Sequence, residues 1–263
     1  MATAVILGSA FQSPTLAGDA LEPVPVATRA GEVTLYRLTG AEAYVLFRHG
    51  LPHDTLPHHI PWRAHALALK AVGCDRLLIT SSVGVLTAEL PLFEPLVVTD
   101  LLMPDNRLPD GTACTVFHPA GPGQGHLVLD EGLCNRALSD QLRQRIGEDT
   151  VSSEVVFTYV GGPRTKTAAE NRWWAAQGAH VNSMTVGPEL VMANELGIAT
   201  AVAVVGHKYS GPASDQQLDT GGITASLEAS RGAMAQLSRW FLTESKPVQW
   251  ANRIYTFDPE PHQ

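Results

Sequence analysis

Val45-Leu46-Phe47-Arg48-His49-Gly50-Leu51-Pro52-His53 is the stretch on which the reading of this chain turns. Its three apolar residues read as the end of a buried strand. An arginine and two histidines follow at once, broken by Gly50 and Pro52. Cationic, hydrogen-bond-donating chemistry at the mouth of a sheet, in an acidic chain, calls for an anion. Downstream, Trp62 to Val72 is rich in Ala and Leu, with its apolar residues on one face. It predicts a helix stopped by Gly73. Leu77 to Thr80 reads as the next buried strand, ending in Ser81-Ser82-Val83-Gly84, and Leu96 to Thr99 as another. Continuous apolar strands in β-α-β order predict a largely parallel sheet covered by helices.

The same pattern extends both ways. Thr3 to Leu7 is a short apolar strand that stops at Gly8-Ser9. Pro14 to Pro25 reads as loop, and Val33 to Leu38 as a strand. Met103 to Gly125 is rich in Pro and Gly and reads as a mobile loop of the lid kind. Its Gly121-Pro122-Gly123-Gln124-Gly125 lacks the spacing and the strand-turn-helix setting of a dinucleotide fingerprint. Helices are expected over Asp130–Ile146, Lys166–Gln177, Pro188–Leu196 and Thr220–Leu242. Strands are expected over Glu154–Val160, Val181–Thr185 and Ile198–Val205. With no internal repeat and no linker, one α/β domain over residues 1–263 is the economical organisation. Six strand ends are polar or glycine: Gly8-Ser9, Arg48-His49, Ser81-Ser82, Gly161-Gly162, Met184-Thr185 and Gly206-His207. Ligands of open α/β sheets collect outside the carboxyl ends of strands, so these six are expected to line one pocket.

Composition removes several classes. A net charge of −8 over 263 residues, without any Lys/Arg block, speaks against a nucleic-acid surface. Hydrophobic residues at 44% and charged residues at 17% are globular values. Cys74, Cys114 and Cys134 are too few and too widely spaced for a zinc ribbon or a disulfide framework. The start lacks the basic and long apolar regions of a secretory signal, and the longest apolar run is too short to span a bilayer. A soluble cytoplasmic protein with no membrane partner is expected. His49, His53, His58 and His59 crowd one stretch. However, Gly50, Pro52 and Pro57 prevent the helical spacing of a zincin, so no metal is expected, and His58 and His59 read as interface or core-rim residues. There is neither a G-x-S-x-G elbow nor a P-loop. Ser9, Arg48, His49, Ser81, Ser82 and Thr185 together offer hydroxyls, a guanidinium and glycine-turn N–H groups, the donors an oxyanion needs.

Arg48-His49-Gly50 with His53, Trp62-Arg63-Ala64 through Gly73, and Thr80 to Leu86 resemble the trimeric nucleoside phosphorylases. So do Gly162-Pro163-Arg164 with Thr167 and Glu170, Gly178-Ala179, Met184-Thr185, Pro188-Glu189, and Ala193 with Glu195-Leu196-Gly197. That family contains purine nucleoside phosphorylase and 5′-methylthioadenosine phosphorylase. The ordered set runs from Val5 to about Val205 and is nearer the methylthioadenosine branch through its contiguous Arg-His-Gly. The resemblance implies a single-domain phosphorylase fold, with a mixed central sheet flanked by helices, and a homotrimer. It also implies phosphorolysis: inorganic phosphate, a co-substrate and not a cofactor, cleaves the N-glycosidic bond of a nucleoside. Ser9, Arg48, His49, Ser81, Ser82 and Thr185 match its phosphate-binding positions. Ser82, Val83, Gly84, Ser183 and Met184 match its nucleoside-binding positions. His53 and His126 fall near positions that serve the sugar or its 5′ region, His126 from across a subunit interface.

The departures concern the base. Methylthioadenosine phosphorylases carry a T-D-x-D motif whose aspartates bind adenine, and here the stretch is Gly206-His207-Lys208-Tyr209. Enzymes of 6-oxopurines use an Asn at this strand end and a Glu after the Gly-Pro motif, where this chain has Gly206 or His207, and Lys166. Ser183 replaces an Asn. Acceptors have become donors, so His207, Lys166 and Tyr209 are the candidate catalytic residues at the leaving base. Donors suit an oxo base such as uracil or a 6-oxopurine, on a sugar that can be 5′-modified. The alternatives are ordinary methylthioadenosine or purine nucleoside specificity, a nucleoside hydrolase, and a catalytically silent nucleoside-binding homologue.

Overall fold

All six residues of β1 (Ala2–Leu7) are buried, as a strand covered on both faces must be. This computed structural model describes residues 1–147, 154–210 and 220–256. After β1 come β2 (Thr15–Leu16), β3 (Asp19–Thr28), β4 (Gly31–Leu38) and β5 (Ala43–Phe47). A 3-10 turn at Pro57–His59 leads into α1 (Trp62–Ala71), then β6 (Cys74–Val85), β7 (Pro95–Val98), β8 (Asp100–Leu102) and β9 (His126–Val128). The remaining elements are α2 (Arg136–Ile146), β10 (Val156–Tyr159), α3 (Ala168–Ala176), β11 (Val181–Ser183), α4 (Gly187–Glu195), β12 (Ala199–Tyr209), α5 (Thr220–Glu244) and β13 (Arg253–Tyr255).

Eleven of these strands form one mixed sheet, in the order β2-β3-β4-β5-β1-β6-β11-β10-β8, with β12 joining β6 to β7. Strands β5, β1, β6 and β12 run parallel, whereas β11 meets β6 antiparallel, as β7 meets β12. Strand alternation divides the core between the two faces. Ile6, Leu77, Ile79 and Val202 pack toward Ala64, Ala68 and Leu69 of α1 and Leu190 of α4. Val5, Leu7, Leu78 and Ala203 pack toward Leu138 and Leu142 of α2 and Met234 and Phe241 of α5. The expected α/β class and mixed sheet are present. Among the described residues no helix is long and apolar enough to cross a membrane.

Several expectations need correction. Pro14–Pro25 is not loop: β2 and β3 build a hairpin edge, with Leu21 to Thr28 paired to β4. Pro23 and Pro25 share one side of β3 with Leu21, whose N–H still donates to the Pro14 carbonyl, and beyond Leu21 that side pairs with no strand among the described residues, so neither proline removes a ladder bond. Strand β6 does not stop at Thr80 but continues to Val85, and β12 continues through Gly206 to Tyr209, because each pairs with the other to Lys208↔Gly84 and Tyr209↔Val85. Met103–Gly125 carries buried Leu108, Cys114 and Val116, so its middle belongs to the core. Two helices begin later than their sequence pattern, because capping side chains set the start. Asn135 accepts the Leu138 N–H ahead of α2, and Thr167 forms a capping box with Glu170 ahead of α3.

Candidate active site

The sheet forks at the end of β6. Its pairing with β1 ends at Ile79, and β11 takes up the same strand only at Gly84 and Val85. Thr80 to Val83 therefore lose a neighbour on one side, and their backbone groups face an opening. The ends of β1, β5 and β11 converge on that opening.

Arg48, 1% exposed, forms its floor. Nε and Nη2 donate to the two Glu189 carboxylate oxygens at 2.6 and 2.7 Å, and Nη1 donates to the Thr80 carbonyl at 2.9 Å. Three of its five N–H groups are thereby used, which leaves one on each terminal nitrogen. Gly8 lies against this guanidinium: a Cβ there would sit 3.0 Å from Nη1. Glu189 also accepts the Val186 N–H at 3.0 Å. Val186 has φ of 74°, and the Gly187 N–H donates to the Thr185 carbonyl at 2.9 Å. That is a γ-turn with a β-branched residue in its left-handed centre, a costly conformation held by Glu189 and by full burial of Val186. It presents Thr185 to β6. The hydroxyls of Ser81, Ser183 and Thr185 form a triangle with edges of 3.3 to 3.4 Å. Gly8, Ser81 and Ser82 line a small cavity against Phe11 and Met234, with Ser9 next in the chain.

His49 is buried, and its Nδ1 lies 2.8 Å from the Thr55 carbonyl. A carbonyl can only accept, so Nδ1 carries the proton. Burial, aided by the Arg48 charge, lowers the ring's pKa to about 4. At neutral pH Nε2 is thus an acceptor. The exposed His53 stacks on it at 4.5 Å.

A second group of basic side chains gathers around Lys208, where β12 runs past Gly84 of β6. Burial first, then the Lys208 ammonium, lowers the Lys166 pKa to about 8. Burial, then Lys208 and Lys166, lowers that of His207 to about 4. Lys166 precedes the Thr167 cap of α3, on the loop whose Gly162 packs so close to Met184 that a Cβ would sit 2.8 Å from its sulfur. Lys208 opposes Gly84 beside a bulge in β12.

The other candidates are placed differently. Tyr209 is 37% exposed, and its hydroxyl donates to the Leu90 carbonyl at 3.1 Å, away from the cation group. The Val83 side chain is in the core, so only its backbone is available. His126 is exposed on β9, in a separate two-stranded sheet with β13. His58, which lines a cavity of about 430 Å³ with Trp62, Arg63 and His118, is at the rim, as its sequence setting implies. Glu189 and Lys208 were missed as site residues. Glu189 carries a signal: a carboxylate near the start of an otherwise apolar helix must pair with a buried cation.

The sequence profile of the phosphorylase superfamily matches residues 2–243. The chain belongs to this superfamily. S-methyl-5′-thioadenosine phosphorylase of Mycolicibacterium smegmatis is 32% identical over 215 residues, covering 78% of this chain and 76% of that protein. The Aedes aegypti protein of the same name is 27% identical over 179 residues, 66% of this chain, and the match spans only 62% of the mosquito protein. Methylthioadenosine phosphorylase from Schistosoma mansoni, solved with adenine, superposes with a TM-score of 0.75 at 22% identity over 90% of this chain and 89% of that one. At that identity the superposition speaks for the fold. This superfamily member thus shares its architecture with those proteins, while its second cation group has to be read from its own residues.

Proposed function

We propose that this superfamily member is a nucleoside phosphorylase whose base is an oxo base, uracil-like or a 6-oxopurine, on a ribose that can carry a 5′ modification. A phosphate oxygen forms a bond to C1′ as the C1′–N bond breaks. The electron pair of that bond stays with the base, and the products are a free base and a ribose 1-phosphate. The observation that carries this reading is the pairing of an oxyanion floor with a separate donor group. Arg48 and the hydroxyls of Ser81 and Thr185 suit phosphate, and the His49 Nε2 acceptor suits the single O–H of hydrogen phosphate. Lys166 and His207 suit an oxo group and the charge that develops on a departing base. Phosphate held below the sugar in this way supplies orientation, which can remove a large part of the barrier.

The names of the relatives favour a second reading, S-methyl-5′-thioadenosine phosphorolysis of ordinary specificity. One screen separates the two. Adenosine, inosine, uridine and their 5′-methylthio analogues are offered with and without phosphate, and free base is measured. Phosphate-dependent release of an oxo base ahead of adenine is expected. Preferred cleavage of 5′-methylthioadenosine would refute the base assignment, and turnover that ignores phosphate would make the protein a hydrolase.

A further inference from the structure

The opening has two positive poles, and phosphate accounts for one. Among the described residues, Arg48 and His53 act on His49, whereas Lys208 and Lys166 act on His207. Among the described residues, Glu170 is the carboxylate that acts on Lys166. It is already engaged, accepting from Arg164 at 2.7 and 2.8 Å and from the Thr167 N–H at 2.7 Å. Among the described residues, neither Lys166 nor Lys208 belongs to any ion pair. Two half-buried ammonium groups that repel one another are costly unless an anion sits with them. Lys208 opposes Gly84, three residues along β6 from Ser81. At about 3.3 Å per residue, Ser81 and Gly84 are roughly 10 Å apart along β6, the span of a sugar with its base.

We propose, building on the phosphorolysis reading above, that Lys208 and Lys166 form a second anion subsite. Its ligand is a nucleobase already negatively charged at neutral pH, through an acidic ring N–H or a carboxylate substituent. The ammonium groups then recognise charge in the ground state as well as in the leaving group, and Lys208 is a specificity residue for the base.

Calorimetry on the full chain at pH 7.5 tests this with two matched pairs, xanthine against hypoxanthine and 5-carboxyuracil against uracil. The first pair probes an ionised ring, the second a carboxylate. A charge-assisted contact predicts that the anionic member of at least one pair binds about tenfold tighter or more. Lys208→Met is expected to bring that ratio near one, and Lys208→Arg to keep it. Equal or weaker binding of both anionic bases, absence of binding by all four, or a preference that survives Lys208→Met would overturn the proposal. If the anionic base binds tightly but its nucleoside is not cleaved with phosphate, phosphorolysis falls and the anion subsite stands.

Discussion

In the proposed reaction Arg48 is both ligand and structure. Its guanidinium is enclosed, and the edge facing Glu189 is fully occupied, so only the outward hydrogens of Nη1 and Nη2 remain for an anion. A buried pair of this kind contributes little net stability while intact, because desolvation offsets attraction, but breaking it exposes the whole penalty. Glu189→Gln is therefore expected to cost about 3–5 kcal/mol, read as a lower urea midpoint. Combining it with Arg48→Met should recover much of that loss, because no unpaired charge is left, yet leave the protein without phosphate-dependent turnover. A double variant as unstable as Glu189→Gln alone would show that the carboxylate acts through the Val186 turn instead.

At the scale of elements, the proposed base end is made by a loop and a strand end that are far apart in sequence. The loop before α3 supplies Lys166, and β12, prolonged past Val205 by its pairing with β6, supplies His207 and Lys208. Lys208 and burial hold the Lys166 pKa down to about 8, and Glu170 opposes them. Lys166 therefore carries its charge below pH 8 and loses it as the pH rises through that value. If its charge stabilises the departing base, kcat/KM should fall about tenfold per pH unit above 8. Lys208→Met removes the like charge, so the alkaline limb should move to higher pH. Comparing the two proteins on one substrate cancels the substrate's own ionisation. A limb that stays in place would mean that Lys166 does not report on catalysis.

For the whole molecule, a chain of net charge −8 confines its useful cations to one fork in one sheet. From the family resemblance we propose that three such chains associate, with His126, exposed on β9, acting across an interface. Sedimentation equilibrium is expected to give three times the 28.1 kDa chain mass, and a monomer at working concentration would refute it.

The local signals were legible wherever apolar continuity decides the outcome. Thr3–Leu7, Tyr44–Phe47, the helix from Trp62 and the helix from Pro188 are all where their residues place them. That Arg48 and His49 close a strand with buried donors was legible too, whereas the pairing of Arg48 with Glu189 was not. What no local signal carried are the events of strand pairing. Pro23 and Pro25 become strand because their edge is open, Ser81 and Ser82 lie within β6 because β12 runs alongside, and Lys208 enters the site because that same pairing carries β12 past Gly206. Burial and helix capping depend on neighbours a few residues away, and so can be read along the chain. Whether a strand ends or continues, and which side chains its continuation delivers, depends on a partner more than a hundred residues distant. Only the folded sheet supplies that partner.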